Sequence, residues 1–592
     1  MKQRMIICGV LVVLIFAAHA PALRGTFVWD DTALVLRDPL IRSWRLIPEG
    51  FQHFLFVDAT PSNFYRPVQR LTYTLEYWAF AFRPAPYHLT NILLHAATAI
   101  ALFTFALAFF RLYRVDERKS LGVAAIASLA WALHPLHSGV VDYVSGRADS
   151  LAALFGFAAL YFTVRALGQA AAWKFYAITG FALLASALSK ETGLVFSALA
   201  ITLILLTKNW KGLAVSGVAI AFVLTIYVTL RSQVPPVNVP QLSPPAPALV
   251  RPIIAARALA EYAGLLIAPV NLHMDRDVEN HSWGFNPVSL TAGAWRELQT
   301  LAGLIGFGVL LWWARRAHKN EPAIFALLLC AGVSYLPVCG LFSLNANIAE
   351  HWIYVPLAFI LLAVSLQVAL IVRPRAAFLS VIALATLWIA FLGLRTFYRA
   401  QDWQDPRTFF GRTIGAGGDS ARMLINLGAL ELSDGHLEQA DMLFQRALSK
   451  NPEQPFALLN LGAVALKRND LSTARGFLER AQKNPVNLAQ AEEMLAMVEQ
   501  KEKGQVNLSR LRMASRTNPP SWPIMRRYLA ALAVTGQTEK AVAELQAVLK
   551  TEWYRAESWQ LLSDYLARLG QTDEANRALL QAQTFDVHLT GH

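Results

Sequence analysis

Charge is what this sequence has least of. Asp, Glu, Lys and Arg make up 16% of its 592 residues, against roughly 25% in soluble domains, while 55% are hydrophobic. That shortage excludes a soluble enzyme held by a single anchor and leaves a chain that crosses a membrane many times. Cysteine is nearly missing as well. Cys8, Cys330 and Cys339 each lie inside an apolar segment, without the spacing of a disulfide framework or a metal site, so they read as packing residues. Acids number 40 against 53 bases, a net charge of +13. Most of the short basic clusters sit beside apolar segments, where membrane topology accounts for them better than nucleic acid does. No nucleic-acid partner is expected.

Met1 to Arg4 carries two positive charges, and Met5 to Leu23 carries none. Ala18-His19-Ala20 resembles a signal cleavage site. The apolar run is nevertheless long enough to span, and the later spans make a separate export signal unnecessary, so it reads as a retained first helix. Further apolar segments lie at about 88–110, 121–141, 151–168, 175–189, 193–207, 213–230, 298–314, 322–342, 352–372 and 376–394, making eleven in all. Six basic clusters test the count: Lys2 and Arg4; Arg111, Arg114, Arg118 and Lys119; Arg165 and Lys174; Lys208 and Lys211; Arg315, Arg316 and Lys319; Arg373 and Arg375. All fall on one side, which the positive-inside rule makes cytoplasmic, together with the N-terminus. The other face then receives outer loops 25–87 and 231–297 and the C-terminal region.

Two places strain a simple count. Ala258 to Leu272 is moderately apolar but contains Glu261, and spanning would invert everything after it. It is expected to lie at the outer surface or re-enter, behind the Pro-rich stretch Val234 to Pro252, which cannot be regular helix. The fifth and sixth spans are each about 15 residues, short of the ~17–25 a spanning helix needs. Their charged turn, Lys190-Glu191-Thr192, is therefore expected to be drawn below the outer surface toward an outward-facing cavity. The alternative is a mutual ion pair that closes the hairpin.

Residues 401–592 are richer in charge and contain a repeat. From Ala421, Leu427-Gly428, Ala440, Phe444, Ala447 and Pro452 fall at tetratricopeptide positions. From Pro455 the register gives Leu461-Gly462, Ala474, Leu478 and Ala481, and from Ala556 it gives Leu562, Ala575, Leu579 and Ala582. A unit from Trp522 keeps Ala541 and Leu545 but has Tyr528-Leu529 where Leu-Gly is expected, and 489–521 has room for a degenerate fifth. Such units stack into a superhelix with a concave groove.

The stretch that organises the chain is Phe27 to Asp38, FVWDDTALVLRD, which follows directly on the first apolar segment. It places Asp30 and Asp31 where a helix meets water, and charge at that depth is a functional-site hypothesis. The alternative is that one acid caps a following helix and the other is solvated. Other polar residues gather at the outer ends of spans. Tyr65-Arg66-Pro67 lies in the first outer loop. His88, Asn91 and His95 share one helix face, where interhelical hydrogen bonding is the favoured reading. His134-Pro135-Leu136-His137 closes the third span, Gly146-Arg147-Ala148-Asp149 opens the fourth, and Glu350-His351-Trp352 opens the tenth. The histidines and acids lack a compact metal-ligand spacing.

WDD after the first helix, YRP, YHLTNILLH, LHPLH with GRADSLAALF, LSKETG, EHWIYVP and the C-terminal repeats stand in one order. Together they resemble the tetratricopeptide-bearing membrane O-mannosyltransferases, related to the protein O-mannosyltransferases of the GT-C fold. The resemblance implies an all-α polytopic membrane protein of GT-C type, with about 11 transmembrane helices over 1–400. A linker over 401–420 and a tetratricopeptide α-solenoid over 421–592 follow. It implies catalysis at Asp30 and Asp31 and a polyprenyl-phosphate-linked donor of mannose or a similar sugar, taken from the membrane lipid. The acceptor would be Ser/Thr hydroxyls of an exported protein or peptide bound by the repeats. Where the family has HTEAV this chain reads HSGVV, with Gly139, and Asp142 is the nearest substitute acid.

The residues are compatible with that chemistry. A carboxylate can take the acceptor proton. A phosphate leaving group needs positive charge on its oxygens rather than a second acid. Arg66, Arg147 and Lys190 are the candidate phosphate ligands, with His88, His134, His137, Asp142, Asp149, Glu191 and Glu350 as further cavity candidates. A divalent metal at Asp30/Asp31 is compatible but not required, and the residues leave open which aspartate is the base. Site and repeats are expected on the non-cytoplasmic face, toward the periplasm of a bacterial inner membrane or the ER lumen. The rival class is a non-enzymatic membrane anchor that displays the repeats as a scaffold for an envelope complex.

Overall fold

The computed structural model describes residues 1–592 except 60–61, 168–172, 238, 240–245, 280–289, 343, 345, 373–374, 518–520 and 590–592. Arg373, part of the Pro-rich stretch and part of the second outer loop therefore lie outside the described residues. Among the described residues every regular element is helical. Every apolar segment expected from the sequence contains helix, though 121–141 and 322–342 are not single unbroken helices. Among the described residues seven helices are both long and apolar enough to cross a membrane, from Lys2–Arg24 and Pro84–Leu112 through to Glu350–Ile371 and Ala376–Trp403. Glu191–Leu206 and Pro322–Val338 are apolar but shorter.

The third span differs from its sequence reading. The segment expected over 121–141 is a helix only to Ala132, and a second piece, Pro135–Val141, leaves it at 52°. Pro135 has no N–H to continue the ladder and forces His134 into extended backbone (ψ 124°). That bend turns the chain inward toward the Asp30–Asp31 loop.

Between apolar helices in lipid, close packing and buried polar bonds replace the hydrophobic drive. Helix Pro84–Leu112 lies at the centre, its Leu102, Phe105 and Phe109 packed with Phe157 and Phe359. His95 Nδ1 meets the Tyr354 hydroxyl at 2.7 Å and its Nε2 donates to the Ala132 carbonyl at 2.9 Å. The Trp131 indole donates to the Tyr354 carbonyl at 2.7 Å.

The segment that strained the count is helix Arg251–Ile267. It starts inside the Pro-rich stretch, because Pro252 sits in the first turn, where a missing N–H costs nothing. Ile254, Ala258, Tyr262 and Leu265 share one buried stripe against Leu136, Ile348 and Ile353. Glu261 is matched by Arg276 at 2.6 Å and by the Gln299 amide at 2.9 Å.

Beyond residue 420 five antiparallel helix pairs follow: Ala421–Ser433 with Leu437–Lys450, Pro455–Lys467 with Leu471–Ala481, Leu488–Lys503 with Leu508–Ser515, Trp522–Val534 with Thr538–Leu549, and Ala556–Arg568 with Thr572–Phe585. The third pair occupies the degenerate unit. Gly428 is needed because a Cβ there would meet the Phe444 ring at 2.6 Å. Where Tyr528-Leu529 replaces Leu-Gly, both side chains are buried against Leu545 instead.

The array touches the membrane domain at both ends. Its first helix joins Val28, Tyr143 and Met274 in one hydrophobic cluster through Met423. At the last pair, Arg555 makes a two-pronged bond to Asp58 at 2.6 and 2.8 Å, and Asp586 accepts from Tyr77 at 2.8 Å. Arg555→Ala strands Asp58, which is 10% exposed, at a cost of about 3–5 kcal/mol for breaking a buried pair. The last repeat should then detach, seen as faster limited proteolysis after residue 550, while cleavage of the first pair stays unchanged.

Candidate active site

Asp30 and Asp31 are adjacent but face opposite environments. Asp31 is wholly buried. One carboxylate oxygen accepts from the Ser145 N–H at 2.7 Å and the Ser145 hydroxyl at 2.5 Å, the other from the Val28 N–H at 3.0 Å. It stands before a single π-helical turn, Thr32–Leu36, yet its side chain makes no capping bond to it. Burial outweighs these donors and pushes its carboxyl up to about 7. Asp31 ties the loop to the segment that follows the bent third span. Gly146 makes that tie close, since a Cβ there would run into the Gly139 carbonyl.

Asp30 is only half-buried. Its backbone N–H donates to the Tyr143 hydroxyl at 3.0 Å. Desolvation raises its carboxyl above the usual range, countered in part by the Tyr143 hydrogen bond and by the charges of Arg422 and Arg66. Of the two acids, Asp30 has its carboxylate less committed.

Arg66 leads from Asp30 to the charged hairpin. Its Nε donates to Glu191 at 2.9 Å, and Glu191 also accepts from the Tyr65 N–H at 2.7 Å. Lys190 does not pair with its neighbour Glu191. Its ammonium lies 2.7 and 2.6 Å from the two oxygens of Asp149. Lys190 and Asp149 line a cavity of about 40 Å³ with Ser334, His351, Trp352 and Tyr354. Burial lowers the Lys190 ammonium, and the Asp149 charge opposes that. His351 and Trp352 form part of its wall, whereas the sequence put only Glu350 of the EHW stretch among the cavity candidates.

Four expected positions are structural. Arg147 is fully buried and four of its five N–H donors are engaged: by Glu76, by Asn91 at 2.9 Å, by Thr72 at 3.0 Å and by the Tyr87 carbonyl at 2.9 Å. It also lies over the Tyr73 ring at 4.6 Å. With its charge matched by Glu76 and most of its donors spent on two neighbouring helices, Arg147 is placed as a strut between them and does not line the cavity of Lys190 and Asp149. Glu350 does not line that cavity either. It accepts from the His273 N–H at 2.7 Å and pairs with Arg399 at 3.2 Å. Asp142, the nearest substitute for the family's acid, is wholly buried, with Oδ1 against His19 Nδ1 at 2.7 Å. His134 spends Nε2 on the Leu266 carbonyl at 3.2 Å.

His88 and His137 are buried too. His88 meets the Thr26 carbonyl at 3.3 Å, while His137 packs on Tyr354 with ring centres 4.6 Å apart. A metal at the paired acids finds a poor fit. Asp31 already takes three hydrogen bonds from the protein, and among the described residues no three His, Cys, Asp or Glu side chains converge as ligands.

No family model matches the chain. It is 26% identical over 505 residues to protein O-mannosyl-transferase TMTC3 of Homo sapiens, covering 78% of this chain and 53% of that one. It is 24% identical over 461 residues to protein O-mannosyl-transferase F38B6.6 of Caenorhabditis elegans, covering 75% and 62%. The chain thus spans about half to three-fifths of the length of these curated relatives. Among solved structures it is similar to ArnT from Cupriavidus metallidurans bound to undecaprenyl phosphate, at 17% identity over 83% of this chain and 80% of that one, with a TM-score of 0.38. The resemblance read from the ordered motifs is borne out by sequence: along about three-quarters of its length this chain is similar to curated protein O-mannosyl-transferases.

Proposed function

We propose that the chain is a membrane glycosyltransferase that moves a sugar, mannose or a close analogue, from a polyprenyl phosphate to a Ser or Thr hydroxyl. The observation that carries this reading is the division of labour in the acidic pair. Asp31 is saturated by the loop it holds, and Asp30 is left half-buried within the fields of Arg66 and Arg422. The acceptor oxygen attacks the anomeric carbon of the sugar, Asp30 takes the hydroxyl proton, and the C1–O bond to the phosphate breaks. The electron pair leaves on the polyprenyl phosphate, whose charge Lys190 and Arg66 offset. Both cations have a carboxylate partner now, so binding exchanges Asp149 and Glu191 for phosphate oxygens.

The repeats lie against the same loop that bears Asp30. A groove of stacked helices there raises the local concentration of a bound acceptor. In this reading the site and the repeats face away from the cytoplasm. The test is transfer by the full chain, in lipid, from defined polyprenyl-phosphate sugars to a Ser/Thr peptide. Mannose transfer that requires the lipid-linked donor is expected. No transfer from any such donor, with the protein folded, would favour the scaffold reading.

A further inference from the structure

The proposed chemistry uses Asp30, but not the residue before it, whose backbone is strained. Trp29 has φ 53°, a left-handed conformation that a bulky side chain rarely adopts and that persists only where its surroundings enforce it. The surroundings are unusually specific. The Trp29 ring lies nearly parallel to Tyr143 at 6.3 Å and tilted against Phe409 at 5.7 Å. Tyr143 stacks on Trp403 at 5.1 Å, and Trp403 on Phe409 at 4.6 Å, which closes a circuit of four rings. Two of the rings come from the membrane domain and two from the 401–420 linker.

A cation from the repeats covers this circuit. The Arg422 guanidinium carbon lies 5.3 Å from the centre of the Trp29 ring. Arg422 is aimed by Asp275 of the second outer loop at 2.5 Å, and Asp275 also accepts from Ser420. The next residue, Met423, is wholly buried in the same cluster as Val28 and Tyr143. Three separate segments thus converge on the residue that sets the direction of Asp30.

We infer that Arg422, on the first repeat helix, is a positioning residue for transfer: it holds Trp29 in its left-handed conformation and presents its charge to Asp30. The first repeat is then a wall of the active site as well as the start of an acceptor groove. The inference rests on Asp30 being the base. The charged and titratable groups facing Asp30 are Arg422 from the repeat, Arg66 at the head of helix Pro67–Phe80, the Tyr143 hydroxyl and the adjacent Asp31. Asp275 faces Arg422 from the outer loop. Loss of Arg422 removes one of two cations that favour ionised Asp30. Its carboxyl rises further, and the acidic limb of the rate profile moves to higher pH.

The experiment measures kcat against pH for the full chain in lipid, with polyprenyl-phosphate mannose and a short Ser/Thr peptide too small to need the groove. Arg422→Gln should lower kcat roughly ten- to a hundredfold, as displaced catalytic groups do, and should shift the acidic limb upward without changing donor KM. Arg422→Lys should return the limb toward its original position. Phe409→Leu, which removes a ring from the circuit but no charge, should lower kcat and leave the limb in place. Wild-type kcat and limb in Arg422→Gln, with Asp30→Asn inactive, would overturn the inference while leaving Asp30 as base. Active Asp30→Asn would overturn the underlying reading instead. Should Arg422→Gln fail to reach the membrane folded, wild-type kcat in Phe409→Leu would overturn the clamp.

Discussion

Asp30→Asn should abolish transfer, with a loss of roughly 10²–10⁴-fold, the contribution of a general base, in a protein that folds and inserts normally. Asp31→Asn should behave differently. Either orientation of an amide at that position sets its NH2 group against a backbone N–H, of Val28 or of Ser145, that now donates to a carboxylate. The cost is about 1–3 kcal/mol for a buried bond left unmade, which appears as lower thermal stability and a looser loop, with catalysis impaired through Asp30. The pH dependence carries a sign. Burial raises the Asp30 carboxyl above the ordinary carboxylate range, and Asp31 is pushed up to about 7. A base works only when ionised, so the rate falls as pH drops through the raised value, and the two acids titrate as a coupled pair. Two fully active single variants, or an acidic limb at the position of a solvent-exposed aspartate, would remove the pair from the chemistry.

Segment by segment, the membrane half was legible wherever composition alone decides. A run of apolar residues reads the same before and after folding, and each run is mostly helical. What the runs did not reveal is where backbone chemistry interrupts them. The third span looked continuous to residue 141 because its residues stay apolar, yet His134-Pro135 breaks it at a proline that cannot join the ladder. In helix Arg251–Ile267 the same physics misled in the opposite direction. Pro252 argued against a helix, although proline is well suited to a first turn. The repeats were legible because their small residues are required by close packing, as at Gly428 beneath Phe444.

The site was legible at its centre and obscure at its edges. Asp30 and Asp31 are neighbours in sequence, so no folding was needed to see them together. Ser145, which commits Asp31, is 114 residues away, and Arg422 is farther still. Arg147 illustrates the limit. As an isolated cation at the mouth of a span it looked like a phosphate ligand. Its partners Glu76, Asn91, Thr72 and Tyr87 come from two other helices, and only the fold shows that they take up four of its five donors. Trp29 stood inside the WDD motif all along, but nothing in its letter signals a left-handed backbone.

Lys190→Ala should raise the donor KM roughly tenfold to a hundredfold, the loss of a charge-assisted hydrogen bond of about 1.5–3 kcal/mol, with the peptide KM unchanged. The geometry that motivates this is also what complicates it. Lys190 is held by both oxygens of Asp149 in a cavity of about 40 Å³, room for a few waters but not for a sugar phosphate. Donor entry must therefore widen the cavity between the Lys190 hairpin and the His351–Trp352 wall, and must compete with Asp149 for the ammonium. A single alanine variant strands Asp149 and weakens the hairpin whether or not Lys190 ever meets a phosphate. Pairing it with Asp149→Asn separates the two roles, because the double variant leaves no orphaned charge. Stability should then recover toward wild type while donor KM stays high. A double variant with wild-type donor KM would reduce Lys190 to a strut between helices and leave Arg66 as the cation that meets the leaving phosphate.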